Sequence, residues 1–329
     1  MVLESILGEQ NIRRYPVLIC VLAFVISIGA IYFANLIFPA HASVVSVAFI
    51  TIGLVPMIHN VLSKEADDEM ICKKSSTTFF ARHFDLIQMY VWVFVGIILA
   101  FSVAYVIIPT DLKPTVFDEQ IHALCSISGN NACKGMVPFS ISGNATGLAV
   151  SQCKDPTVSN VGGCALFILE NNWGVLIFTV ILSLLYGAGA IFIIAWNASI
   201  LGIFFGEMLL MGQHVQSLGF LQGMLIGHGP PELFSYIFGA LAGAVLSAMI
   251  SKKQMFTCHF GIVIKDVAFL AILALFSVAY GAATEAVGIL GMTELYFLMG
   301  FVYLLIIIVV VFVYGKKTTH HNPFAWGRE

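Results

Sequence analysis

Charge is what this chain has least of. Only 10% of its 329 residues are Asp, Glu, Lys or Arg, against about 25% in ordinary soluble domains, which excludes a soluble globular fold. No basic run is present to hold nucleic acid. The absence of a GxxxxGK loop and of a Gly-rich dinucleotide turn argues against an intrinsic nucleotide motor. HExxH and CxxC are missing too, and no cofactor is strongly indicated. No nucleophilic triad emerges, because serines inside apolar runs, such as Ser183 and Ser247, more often bond back to their own helix.

What is there is apolar. With 59% hydrophobic residues and a mean hydropathy of +0.96, the chain reads as an all-α, multi-pass membrane protein in a lipid bilayer. The first apolar run, residues 16–38, is too long for a signal-peptide core of about 7–15 residues and reads as a retained span. Further spans are predicted near 42–62, 86–108, 173–196, 230–250, 262–284 and 294–314. An eighth segment, 198–222, either spans or re-enters: it is apolar around Glu207, then carries Gln213, His214, Gln216 and Gln222.

The distribution of Lys and Arg favours a crossing. It places Arg13, Arg14, Lys64, Lys73, Lys74, Arg82, Lys252, Lys253, Lys265, Lys316, Lys317 and Arg328 on the cytoplasmic side, leaving only Lys113, Lys134 and Lys154 outside. Re-entry would move both lysine pairs to the outer face. Eight crossings with both termini cytoplasmic is the expectation. The mixed-charge stretch 63–85 then reads as a solvated inner connector or a docking site for a cytoplasmic partner.

The outer segment 109–170 reads as an exposed cap. Cys125, Cys133, Cys153 and Cys164 suggest two disulfides of undetermined pairing in an oxidising compartment. Zinc is the competitor, disfavoured by the missing CxxC. Asn144-Ala-Thr146 is an acceptor pattern for N-linked sugar. Cys20, Cys72 and Cys258 are expected to stay reduced.

Polar residues gather at the same outer interface. Glu170, Asn171 and Asn172 precede the fourth span, His228 and Glu232 open the sixth, and Glu285 and Glu294 flank the turn between the last two. Gly229, Pro230 and Pro231 suit the first turn of a helix, where a missing amide hydrogen costs nothing. These residues read as a metal, proton or partner site, or as wetted helix ends. The metal version uses His228, Glu232 and Glu170, although zinc would need further ligands. Glu207 is expected near mid-bilayer, where an acid costs about 2.5–3.5 kcal/mol. Its helix face is shared by His214, with Asn197 or Trp196 as hydrogen-bond partners. Pairs four residues apart, Gly202 with Gly206, Gly219 with Gly223, and Gly239 with Gly243, make flat faces. They predict that spans five and six pack together, and they allow a homodimer.

Glu170-Asn171-Asn172 opens a span whose end is Gly-rich (Gly187, Gly189), followed by Asn197 with Leu201-Gly202, and then by His228-Gly229, Glu232-Leu233 and Ala242-Gly243. In this order and spacing, from Glu170 to Ile250, the chain resembles the stage II sporulation protein M family of membrane proteins. Ala198 stands where the family commonly has Gly. The resemblance implies a membrane core over 171–290. Residues 1–108 become a three-span elaboration, 109–170 the cap, and 291–329 a last span and cytoplasmic tail. It also implies a scaffold, since the namesake gathers cell-wall-degrading enzymes during engulfment. For this chain only the scaffold role, with membrane or extracytoplasmic protein partners, carries over. The rival readings are an ion- or proton-coupled transporter or channel through Glu207, His214 and the fifth span, and an intramembrane metallohydrolase.

Overall fold

The computed structural model describes residues 17–70, 79–128, 153, 160–211, 225–251 and 260–317, and the regular structure among them is entirely helical. Helix α1 (Val17–Ile37) turns through a short 3-10 segment, Pro39–His41, into α2 (Ala42–Met70). Next come α3 (Phe79–Ile107), the short α4 (Lys113–Val116) and α5 (Asp118–Ser128). The chain continues with α6 (Val161–Tyr186), α7 (Ile191–Met211), α8 (Gly229–Ser251), α9 (Phe260–Ile289) and α10 (Thr293–Lys317). Seven helices, α1 to α3 and α6 to α9, are long and apolar enough to cross a membrane, and α10 adds a shorter apolar stretch, Thr293–Val309. The protein is therefore a multi-pass helical bundle in a lipid bilayer.

The centre of the chain divides differently from the expectation of spans at 173–196 and 198–222. α6 starts at Val161, capped by the Asn160 side chain, which accepts a hydrogen bond from the Gly163 amide at 2.8 Å. It ends at Tyr186, where Gly187 takes φ 65°, a left-handed conformation cheap only without a Cβ. Gly189 then lies so close to the Leu182 carbonyl that a Cβ would not fit. Hydropathy is continuous here, so turn chemistry alone marks the break. One consequence is that Ile191–Leu210 is itself long enough to cross. Another is that Glu170-Asn171-Asn172 lies three turns inside a helix and does not precede it. His214, Gly219 and Gly223 fall outside the described residues.

The glycine faces are used, with partners other than those expected. Gly202 and Gly206 of α7 face α3: a Cβ on Gly202 would stand 2.5 Å from the Phe101 Cβ, and one on Gly206 2.8 Å from the Tyr105 Cβ. Ser102 ties the pair, donating to the carbonyls of Ile98 (2.8 Å) and Gly202 (2.9 Å). Gly239 and Gly243 of α8 face Leu176, Val180 and Ser183 of α6. The expected α7 to α8 pairing is thus replaced by two parallel pairs, α3 with α7 and α6 with α8, interleaved along the chain. A four-residue glycine spacing marks a face that admits a close neighbour and does not say which neighbour.

α1, α2, α3 and α7 form one half of the bundle, and α6, α8, α9 and α10 the other. A buried His83–Asp266 contact of 3.6 Å joins the starts of α3 and α9, so both helices run the same way. The eight long helices alternate in direction, and α1 enters at the end from which α10 leaves. At the opposite end, the cap end, α4 and α5 lie on the bundle. The Phe117 ring packs on Phe101 and Tyr105, with centroids 6.0 and 5.6 Å apart. Gln120 donates to the Ser43 carbonyl at 3.0 Å. Cys153 is disulfide-bonded to Cys164, and the pair packs with Ile168, Ala282 and Ala286. Cys133, Asn144 and the Cys125 side chain lie outside the described residues, while Cys20 is a buried free thiol.

Candidate functional site

The start of α8 behaves as its proline pair dictates. Pro230 and Pro231 occupy the first turn, where no amide partner is required, and the Glu232 amide donates to the His228 carbonyl at 3.2 Å. Glu232 is held facing α6, where the buried Asn172 donates its Nδ2 to Glu232 Oε1 at 2.8 Å. Asn171 in turn donates to Asn172 Oδ1 at 3.3 Å. From α9 the Glu285 carboxyl meets that of Glu232. α9 approaches this closely because residue 281 is glycine: a Cβ there would stand 3.0 Å from the Glu232 Cγ. One turn along α8, Tyr236 is buried within electrostatic reach of both carboxyls.

His228 is turned elsewhere. Its Nδ1 shares a 2.8 Å hydrogen bond with the Tyr296 hydroxyl of α10, and the Tyr296 ring fills the space a Cβ on Gly288 would need. Deeper in the bundle, Tyr280 donates to the Met299 carbonyl and Ser277 bonds Tyr303, both at 2.8 Å. α9 and α10 are laced together below the carboxyl pair.

Of the residues singled out from sequence, Asn171, Asn172, Glu232 and Glu285 are brought together, with His228 adjoining through Tyr296. Glu170 and Glu294 are exposed. The His228, Glu232 and Glu170 grouping is not assembled, and among the described residues no three His, Cys, Asp or Glu side chains converge to hold a metal ion. Asn197 spends its Nδ2 on the Ile193 carbonyl of its own helix, at 2.8 Å.

Glu207 lies away from the position and the partners expected for it. Because α7 begins at Ile191, Glu207 is about 24 Å along it at 1.5 Å per residue, close to the cap end and not at mid-bilayer. It is buried, facing Tyr105 and Lys113. The Lys113 ammonium stands 4.3 Å from the centre of the Tyr105 ring, with its side chain only 4% exposed. Lys113 reads in sequence only as a lysine on the outer side, and nothing local signals its burial. Tyr236 was legible in principle, since it falls one helical turn after Glu232.

The model of the stage II sporulation protein M family matches residues 89–288, well over half the chain. The chain belongs to that family. No curated protein and no solved structure matches it. The match opens inside α3, ahead of the stretch from Glu170 that carries the sequence resemblance, and closes at Gly288. It therefore contains both interleaved glycine-faced pairs and the whole Asn172, Glu232 and Glu285 cluster. The inclusion of α3 has a physical basis, because the α7 glycine face closes on it.

Proposed function

We propose that the protein is an integral membrane scaffold that recruits partner proteins at its cap end, and that this end faces away from the cytoplasm. The observation that carries the reading is the way α4 and α5 are built onto the membrane helices. Phe117 and Gln120 are wholly buried, so the cap is part of the bundle's packing and can bear a partner without first being ordered. Its free face shows Asp111, Leu112, Thr115, Asp118 and Glu119 to solvent. That is an acidic surface with one apolar residue, suited to a basic partner segment. The orientation follows from the excess of Lys and Arg at the other end. Family membership agrees with a scaffold, the role of the family's namesake.

The test is site-specific photo-crosslinking in intact cells. A photoreactive residue at Glu119 should yield a discrete protein adduct that is lost when Asp111 and Asp118 are changed to Lys. The same probe at Leu185, an exposed apolar position at the other end of α6, supplies the background. Adducts at Glu119 no more specific than those at Leu185 would end the scaffold reading. Cysteine labelling from outside the cell at Glu119, but not at Lys253, would agree with the assigned orientation.

A further inference from the structure

We propose that Tyr105, Lys113 and Glu207 enclose a binding site for one small uncharged polar molecule, water, at the joint between the cap and the spans. Three elements build it. α3 supplies Tyr105, wholly buried, and α4 lays the Lys113 ammonium 4.3 Å from the centre of the Tyr105 ring. α7 closes on the same residue through Gly206, whose would-be Cβ stands 2.8 Å from the Tyr105 Cβ and 3.1 Å from its Cδ1. That contact brings the next residue, the buried Glu207, alongside. Lys113 and Glu207 are within electrostatic reach, yet the two described side chains form no direct ion pair.

The Tyr105 hydroxyl is what points to a ligand. It is shut off from solvent and makes no hydrogen bond, although a buried phenol ordinarily finds a partner. The Glu207 carboxyl is near enough to act on it but does not meet it in hydrogen-bonding geometry. Phenylalanine would give Lys113 and Phe117 much the same ring to pack on and would bury no oxygen.

The chemistry of the three groups selects the ligand. Lys113 repels an added cation and a Glu207 carboxylate repels an added anion. An ammonium only donates, a carboxylate only accepts, and a phenol does either. Water accepts from the first, donates to the second and bonds the third, within the two to four partners that an enclosed water takes. It thereby carries the contact between α4 and α7 that the two charged side chains do not make directly. The polar seat of the cap is solvent-mediated, beside the dry seat of Phe117 on Phe101 and Tyr105.

The experiment is X-ray radiolytic labelling of the full-length chain in lipid nanodiscs, read residue by residue by mass spectrometry, because hydroxyl radicals form from bound as well as bulk water. Tyr105, Phe101 and Phe117 are equally buried. Tyr105 should be oxidised severalfold faster than the two phenylalanines. The companion measurement is the thermal midpoint of Tyr105→Phe, which should fall by about 2–4 °C for one lost hydrogen bond; a hydroxyl with nothing to bond would leave the midpoint unchanged or raise it on removal. Equal labelling of all three rings reports a cap that lifts and overturns the proposal. A midpoint at or above the parent's overturns it too, and a lowered midpoint without selective labelling assigns the hydroxyl to Glu207 directly, which also overturns it. The site goes beyond the scaffold reading and neither measurement needs a partner, so the two can fail separately.

Discussion

Gly243→Ala adds one methyl group at the tightest part of the α6 to α8 contact. The new Cβ would stand 2.6 Å from the Val180 carbonyl oxygen, 2.7 Å from the Ser183 Cβ and 3.0 Å from the Leu184 nitrogen. Two of these three atoms are backbone and cannot rotate away, so the helices must separate by something under 1 Å, the shortfall from ordinary contact distance. Overpacking of this kind costs about 1–3 kcal/mol, offset by up to about 1 kcal/mol from the better helix propensity of alanine. The same separation would stretch the 2.8 Å Asn172 to Glu232 bond. A fair control lies on the same helix: Gly174 is exposed, with nothing within 4 Å of its would-be Cβ, so Gly174→Ala keeps the propensity gain alone. At about 2–4 °C per kcal/mol, thermal unfolding in nanodiscs should show Gly243→Ala lowered by several degrees and Gly174→Ala unchanged or raised. If Gly243→Ala unfolds within a degree of the parent, or the two variants move together, the α6 to α8 pairing is wrong.

Other perturbations test other contacts. Asn172→Ala removes the donor to Glu232 and should cost about 1–3 kcal/mol for a buried acceptor left unpaired, seen as a lowered thermal midpoint. His83→Ala removes the buried neighbour of Asp266 and should cost about 1–3 kcal/mol for a buried polar group left without it, whereas His83→Phe with Asp266→Leu should recover much of that; equal losses would remove the buried-pair argument. Lys113→Met leaves Glu207 buried without its nearby cation, and adding Glu207→Gln should restore stability; a double variant no better than the single one would show that the two do not interact. Reduction of Cys153–Cys164, whose partners are 11 residues apart, should destabilise by roughly 3 kcal/mol on the loop-closure estimate, and thiol titration before reduction should find neither sulfur reactive.

Where sequence succeeded, it did so through local chemistry. The double proline after Gly229 fixes a helix start whatever surrounds it, and His228 and Glu232 lie where that start puts them. Lys and Arg asymmetry predicted eight crossings; among the described residues seven helices are long and apolar enough to cross, and α10 adds a shorter apolar stretch. Failure came where apolar sequence is continuous. From residue 173 to 205 hydropathy has no dip, so the expected boundary fell at 197 although the turn is made at Gly187-Ala188-Gly189. That shift of about ten residues moved Glu207 from mid-bilayer to the cap end, beside Tyr105 and within reach of the Lys113 charge. Partner choice was illegible for another reason: glycine faces specify closeness, and which helix fills them depends on the order in which all eight helices pack. Glu232 and Glu285 were both visible as interface acids, but their contact depends on Gly281, whose role appears only once α8 and α9 are adjacent.

α9 carries a polar contact at each of its ends, Asp266 with His83 and Glu285 with Glu232. Nineteen residues separate Asp266 from Glu285, a rise of about 28 Å, close to the thickness of a hydrocarbon core. Both acids therefore sit at interface depth, where ionisable groups cost least. Between them α9 presents Leu270, Ala274 and Val278 to the buried core, while its Ser277 and Tyr280 hydroxyls bond Tyr303 and the Met299 carbonyl of α10. Glu232 ties α8 to α6 through Asn172 and lies against α9 at Gly281, near the packed disulfide that joins Cys153 to Cys164 at the start of α6.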